Sequence, residues 1–163
     1  SHARQHRLEP TVITYNAAIS ACEKGAQWQE ALGMFLDMRL RRLEPNVVTY
    51  SAAISACEKG VRWHEALGIL SDMRLRRLEL DVITYSAAIS ACEKGARWHE
   101  ALGLFSDMGL RRLEPNVITY NAAISACEKG VRWHEALGMF SDMRLRRLEP
   151  NMITYSAAIS ACE

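Results

Sequence analysis

Charge of one sign and long hydrophobic runs are both scarce in this sequence. Lys and Arg number 20 against 19 Asp and Glu, so the formal net charge is +1. Clustered positive charge normally supplies much of the affinity for a nucleic acid, and this even balance argues neither for nor against such a ligand. No apolar run approaches the roughly 18–20 residues of a membrane span, and no N-terminal segment has the order of a signal peptide. We expect no membrane association.

The residue patterns of catalytic and metal sites are also missing. His64-Glu65 and its later copies resemble the start of a zinc-protease motif, but Gly68 stands four residues on, where the second histidine belongs. No nucleophile has a partnered base, and no glycine-rich loop could cradle a phosphate. We therefore expect no enzyme, no cofactor and no metal, and we expect these histidines to face solvent.

What the sequence has is a period of 35 residues. The block that starts at Val12 returns at Val47, Val82 and Val117, and a further copy begins at Met152. Such a period indicates a solenoid of stacked units rather than one globular domain. We expect 1–11 to be the tail of a preceding repeat, 12–46, 47–81, 82–116 and 117–151 to be repeats, and 152–163 to be the first helix of a fifth. The chain is thus expected to be a fragment.

Each period contains two apolar stripes at helical spacing, over 15–22 and 28–38 in the first copy. Gly25 separates them and is expected at the C′ position, where glycine ends a helix. Pro45 stops the second helix. Each repeat is therefore predicted to be a helical hairpin, and the fold an all-α, right-handed α-solenoid of stacked helix-turn-helix units.

Small and aromatic residues suggest how the hairpins pack. The small residues Ala17, Ala18, Ala21 and Gly33 are expected to let the two helices approach closely. The tryptophans share a stripe with Phe35, so we interpret them as core residues rather than as a base-stacking surface. They are Trp28, Trp63, Trp98 and Trp133.

The five cysteines occupy one position of successive repeats. They are Cys22, Cys57, Cys92, Cys127 and Cys162. Stacked helices lie about 8–10 Å apart, whereas a disulfide needs Cα atoms within about 7 Å. We expect buried free thiols in a reducing compartment.

The repeated motif, V/I-T-Y-N/S-A-A-I-S-A-C-E-K-G followed by W-x-E-A-L-G and L-E-P-N, closely resembles the pentatricopeptide repeat (PPR) over 12–163. The resemblance implies that single-stranded RNA is the partner and that each repeat recognises one base. The base-selecting positions would be the fifth residue of each repeat (Asn16, Ser51, Ser86, Asn121 and Ser156) and the last (Asn46, Asp81, Asn116 and Asn151). The base-sandwiching residues would be Ile13, Val48, Ile83, Ile118 and Ile153. The phosphate-contacting residues would be Lys24, Lys59, Lys94 and Lys129.

The same resemblance implies a base code. The pairs Asn16/Asn46 and Asn121/Asn151 would favour pyrimidines, Ser51/Asp81 would favour G and Ser86/Asn116 would favour A. The preferred target would be 5′-Y-G-A-Y-3′, with Ser156 contributing little. The resemblance also implies a role in chloroplast or mitochondrial RNA processing, stability or editing.

Other interpretations of these residues stay open. The last residue of each repeat precedes a helix and could serve as an N-cap. The lysines could be solvated beside a helix C-terminus. The alternative function is a protein- or peptide-binding scaffold similar to tetratricopeptide arrays. Self-association through uncapped terminal hairpins is a further expectation.

Overall fold

The computed structural model describes residues 8–163, so most of the predicted tail at 1–11 lies outside the described residues. All regular structure in the described part is helical. The helices are α1 (Val12–Lys24), α2 (Trp28–Leu40), α3 (Val47–Lys59), α4 (Trp63–Leu75), α5 (Val82–Lys94), α6 (Trp98–Leu110), α7 (Val117–Lys129), α8 (Trp133–Leu145) and α9 (Met152–Ala161).

Each odd-numbered helix begins at a side-chain cap. At the start of α3, Asn46 Oδ1 accepts from the Thr49 amide (3.2 Å), and Thr49 Oγ1 accepts from the Asn46 amide (3.0 Å). This reciprocal capping box satisfies amides that have no partner within the helix. Asp81 accepts in the same way from the Thr84 amide at the start of α5 (2.8 Å). The prediction that these residues could be N-caps is confirmed.

The turn inside each hairpin differs from the sequence expectation at Gly25. This glycine is the C-cap of α1 with φ −82°, and Ala26 takes the left-handed conformation instead, with φ 55°. The Gln27 amide then donates to the Cys22 carbonyl (2.8 Å), and the Ala26 amide donates to the Glu23 carbonyl (3.1 Å). This is a Schellman motif with alanine at C′. The assignment of Gly25 to C′ was wrong by one residue.

The helices form two layers. The odd-numbered helices stack on one another from α1 to α9, and each even-numbered helix packs against the odd helix before it and the one after it. Buried side chains fill the space between the layers, including Ile54, Tyr50, Met73 and their copies in the other complete repeats. Each hairpin is therefore buried by its neighbours, and the predicted all-α helical-repeat solenoid is confirmed.

A tyrosine and an aspartate tie the two helices of each hairpin together. Tyr50 in α3 is fully buried and donates its hydroxyl to Asp72 in α4. Burial, and then this hydrogen bond, raise the pKa of Tyr50 to about 12. The other hairpins repeat the bond as Tyr15–Asp37, Tyr85–Asp107 and Tyr120–Asp142. Sequence reasoning missed this pair, although both residues recur at fixed positions of the period.

The tryptophans lie at the boundaries between repeats, where Trp28, Trp63 and Trp98 pack against the core. Trp28 is half-buried, and its ring lies against Gly60 of the next repeat. The guanidinium of Arg62 lies 4.7 Å from the centre of that ring, within range of a cation–π interaction. Trp133, in the last complete hairpin, is 44% exposed. The interpretation of the tryptophans as packing residues rather than as a base-stacking surface therefore fits the first three and fails for the exposed Trp133.

Among the small residues, the expectation of a close helix approach was wrong for Gly33. It is exposed, and a Cβ placed on it would meet no atom within 4 Å, so it makes no close approach between helices. The small residues that do lie between the helices are alanines, such as Ala53 and Ala56, both buried in α3.

The cysteines are free thiols of unequal exposure. Cys57, Cys92 and Cys127 are buried, whereas Cys22 is half-buried and Cys162 is exposed. Burial raises the pKa of each of the three buried thiols to about 12. They therefore act as small apolar core residues and not as nucleophiles.

Candidate nucleic-acid interface

The fold brings the fifth and last residues of a repeat together at the start of the odd-numbered helices. In the first repeat, Asn16 Nδ2 donates to Asn46 Oδ1 (3.1 Å), and in the fourth, Asn121 Nδ2 donates to Asn151 Oδ1 (3.3 Å). These partners are 30 residues apart in the chain. They meet because the last residue of a repeat caps the next odd helix, which stacks beside the helix that carries the fifth residue.

The middle repeats, which have serine at the fifth position, are connected through a threonine. Ser51 Oγ lies 2.8 Å from Thr84 Oγ1, within hydrogen-bond distance. Thr84 Oγ1 in turn donates to Asp81 Oδ1 (2.7 Å). Ser86 Oγ is likewise 2.6 Å from Thr119 Oγ1. Sequence reasoning missed this threonine, the third residue of each repeat, which is buried in every described repeat after the first. It hydrogen-bonds to both predicted base-selecting positions.

Capping occupies only one terminal atom of each last residue. Asn46 and Asn116 accept the helix amide on Oδ1, and among the described residues their Nδ2 groups have no hydrogen-bond partner. Asp81 also accepts through Oδ1, and its Oδ2 has no partner within the same part of the chain. The asparagines therefore offer a hydrogen-bond donor to a ligand, while the aspartate offers an acceptor. Capping and ligand recognition are compatible roles for one side chain.

The second residues of the repeats form an exposed apolar row. Ile13, Val48, Ile83, Ile118 and Ile153 are between 56% and 80% exposed. Between α5 and α7, Ile83 and Ile118 line an open pocket of about 210 Å³ together with Ser86 and Asn116. One pocket thus contains two of the predicted sandwiching residues and both predicted base-selecting residues of the third repeat.

The predicted phosphate lysines are engaged in ion pairs between repeats. Lys59 Nζ lies 2.8 Å from Glu23 Oε1 and donates to the Glu23 carbonyl (2.9 Å). Lys129 makes the same two contacts with Glu93, at 2.8 and 2.7 Å. Lys94 pairs with Glu58, and Lys24 is exposed on α1 of the first repeat. A ligand phosphate would have to compete with these carboxylates.

Four arginine side chains, unlike these lysines, are not engaged in ion pairs within the described residues. The arginines in the left-handed position after each even-numbered helix form no salt bridge with any described residue. They are Arg42, Arg77, Arg112 and Arg147. All four are exposed. Since each precedes the cap of the next helix by four residues, this row lies at the same end of the helices as the predicted base-selecting residues.

The fifth residue of the last repeat and the repeated histidines lie at the surface. Ser156 is exposed on α9, and the histidines beside Trp63, Trp98 and Trp133 are exposed, as expected. Within residues 8–163, no helix is long and apolar enough to cross a bilayer. The same residues hold no group of three His, Cys, Asp or Glu side chains positioned for a metal ion.

The fold and this row of repeated polar pairs define a helical-repeat solenoid with one polar pair per hairpin. The PPR repeat family model matches residues 10–59, 81–129 and 115–163, and a second PPR repeat model matches 48–78. The chain therefore belongs to the PPR repeat family. No curated protein sequence matches it significantly.

Solved structures agree with this assignment. The PPR protein PPR10 in complex with an 18-nt psaJ RNA element is 27% identical, with a TM-score of 0.77 over 94% of this chain and 22% of that one. PPR10 from maize is 29% identical, with a TM-score of 0.65 over 95% and 22%. The PPR domain of Arabidopsis thaliana protein-only RNase P 1, in complex with tRNA, has a TM-score of 0.82 over 98% and 84%, but at 12% identity it supports the fold alone. The present chain thus spans about a fifth of PPR10.

Proposed function

We propose that this chain is an RNA-binding module that recognises single-stranded RNA through one base per repeat, with the preference 5′-Y-G-A-Y-3′. The RNA lies along the starts of the odd-numbered helices, where the fifth and last residues of each repeat meet. The module binds without catalysing a reaction. Its RNA-bound relative PPR10, at 27% identity, supports RNA as the ligand class. A role in processing, stability or editing of chloroplast or mitochondrial transcripts rests on family resemblance and stays a prediction.

The observation that carries the proposal is the uncommitted atom of each capping residue. Asp81 has a free acceptor, Oδ2, beside the Ser51 hydroxyl network. The base edge of guanine offers N–H donors, which match this acceptor. Asn116 has a free Nδ2 donor beside Ser86, which matches the ring-nitrogen acceptor of adenine. These polarities agree with G at the second repeat and A at the third, as the family resemblance implies.

The exposed aliphatic row explains how successive bases could reach successive repeats. Adjacent helices in a stack are about 8–10 Å apart, whereas stacked bases in one strand are about 3.4 Å apart. Something must therefore separate the bases. Val48 and Ile83 are exposed and β-branched, so each has few rotamers and can act as a stiff wedge. Removal of this apolar surface from water would favour binding.

A reciprocal exchange of the capping residues tests the code. Asp81→Asn should move the second base preference from G towards A, and Asn116→Asp should move the third from A towards G. The wrong base should cost about 1–3 kcal/mol in each case. Both residue types cap helices well, so neither exchange should disturb folding. Fluorescence anisotropy against the four RNAs Y-G-A-Y, Y-A-A-Y, Y-G-G-Y and Y-A-G-Y, embedded in the same flanks, measures both preferences.

Asp81→Ala separates recognition from capping. It should reduce stability by about 1 kcal/mol, as is usual when a cap is lost, and abolish discrimination at the second base. If Asp81→Asn and Asn116→Asp weaken all four RNAs equally, these residues are only caps and the base code is wrong. If no RNA binds but extended peptides do, the alternative of a peptide-binding scaffold replaces the proposal.

A further inference from the structure

The third repeat lacks an arginine that the other complete repeats have near the end of their second helix. The equivalent positions are Arg39, Arg74, Gly109 and Arg144. Where the arginine has a following repeat to contact, it crosses the boundary. Arg74 Nη2 lies 2.5 Å from Asp107 Oδ2 and donates to the Tyr85 hydroxyl (3.1 Å). Arg39 similarly reaches Asp72 (3.4 Å).

At the next boundary the receiving groups are present but the arginine is not. Tyr120 donates to Asp142 in the same way that Tyr85 donates to Asp107. In place of the guanidinium there is an open pocket of about 240 Å³, lined by Phe105, Gly109, Leu113, Tyr120 and Asp142, among others.

No neighbouring side chain moves in to replace the missing group. Arg146 Nε is 3.2 Å from Asp142 Oδ2, the same distance as between Arg111 Nε and Asp107 Oδ2. The Asp142 side chain is 47% exposed, against 31% for Asp107. The pocket therefore keeps the counterparts of the carboxylate and the hydroxyl that hold Arg74 at the preceding boundary.

We propose that this pocket binds a guanidinium group, the arginine side chain of a partner polypeptide. The carboxylate of Asp142 and the hydroxyl of Tyr120 accept its planar N–H donors, as their counterparts accept those of Arg74. The ring of Phe105 lies where it can face the cation, since Arg39 lies 5.9 Å from the ring centre of the equivalent Phe35.

The rest of the lining suits a side chain better than a bare ion. Leu113 and Pro115 provide apolar surface for the aliphatic stem of an arginine. Arg112 and Arg146 are balanced by Glu114 and Asp142, so the pocket carries no net charge that would repel a cation. This inference does not depend on RNA binding, because the pocket contains none of the proposed base-selecting residues.

NMR titration of the ¹⁵N-labelled chain tests the site. The probes are ethylguanidinium, the peptide acetyl-Gly-Arg-Gly-amide, its lysine counterpart and inorganic phosphate. Ethylguanidinium and the arginine peptide should give saturable shifts centred on the amides of Gly109 and Asp142, with weaker binding of the lysine peptide. Asp142→Asn should reduce affinity about tenfold or more, since it removes a charged hydrogen-bond acceptor. Gly109→Arg should abolish the shifts by filling the pocket.

Two further variants keep the test decisive. Gly109→Gln fills the pocket without a charge and should also abolish binding. It replaces Gly109→Arg in the test if that variant folds poorly. Gly103→Ala lies on the same helix with open space around its Cβ, and binding should be unchanged. Shifts spread over all surface carboxylates, or shifts that persist in both pocket-filling variants, would overturn the site. Binding of ethylguanidinium but not of the arginine peptide would exclude a partner side chain, and localised shifts with phosphate would show an anion site instead.

Discussion

Trp28 and Gly60 are in direct contact across the boundary between the first two repeats. A Cβ built on Gly60 would lie 2.4 Å from Trp28 Cγ, closer than real atoms approach. The same relationship joins Trp63 to Gly95 and Trp98 to Gly130. Glycine is therefore required at this position for lack of a side chain and not for an unusual φ, which is −86° at Gly60.

Gly60→Ala should reduce stability by about 1–3 kcal/mol, the usual cost of overpacking. The indole would have to move away from the helix end and lose its contact. Gly25→Ala is the matched control, because its Cβ would be 3.4 Å from the nearest atom and no tryptophan precedes it. Urea unfolding of both variants measures the difference. Equal stabilities would mean that the tryptophan moves without cost.

The glycines inside the even-numbered helices should behave in the opposite way. Gly68→Ala should stabilise the chain by about 0.5–1 kcal/mol, since glycine is a poor helix former and a Cβ there meets no atom within 4 Å. Gly103→Ala should have the same effect, and the two should add because they lie on different helices. A lower midpoint of thermal unfolding for either variant than for the parent chain would contradict the exposed position of these residues.

Stability should fall at alkaline pH. Burial raises the pKa of Cys57, Cys92 and Cys127 from about 9 to about 12, and that of Tyr50 from 10.0 to about 12. The neutral forms are favoured by folding, so their contribution is complete below pH 9 and is lost as the pH rises towards 12. Urea midpoints at pH 8 and 10.5 measure this loss.

At pH 8, the exposed Cys162 should react with a thiol reagent much faster than the three buried cysteines, and equal rates would show that the repeats open readily.

The pair between Lys59 and Glu23 makes the proposed phosphate contact testable. Glu23→Gln removes the competing carboxylate, so affinity for every RNA should rise equally and the salt dependence of binding should become steeper. Lys59→Gln should weaken all RNAs equally and reduce the slope of log K against log salt by about 0.7 for one lost contact. Each change should alter stability by less than about 1 kcal/mol, as expected for a partly exposed pair. If Glu23→Gln leaves affinity unchanged, the lysine serves only to join repeats.

Self-association through the terminal hairpins stays a prediction. Tyr155 and Ile159 of α9 are 50% and 61% exposed and line an apolar pocket with Leu137 and Phe140. Sedimentation at several concentrations would detect it, and Ile159→Lys should suppress it. An unchanged monomer at high concentration would contradict the expectation.

The sequence by itself determined the local structure, because its signals act over a few residues. The apolar spacing fixes the helices, and an Asn, Asp or Thr three residues before a threonine fixes where the odd-numbered helices begin. The period makes each hairpin depend on its neighbours, so the solenoid also follows from the chain.

Only the tertiary structure decided which residues meet across the repeats. Gly25 and Gly60 both follow the sequence Ile-Ser-Ala-Cys-Glu-Lys, but only Gly60 meets a tryptophan, since no hairpin precedes the first in the described part of the chain. Lys59 meets Glu23, and Thr49 meets Asn16, over 36 and 33 residues. These contacts depend on the offset between stacked helices, which the side chains of two repeats set jointly. The residue pattern within one repeat does not specify that offset. For this reason only the fold revealed the lysines paired with glutamates of the preceding repeat and the pocket beside Gly109.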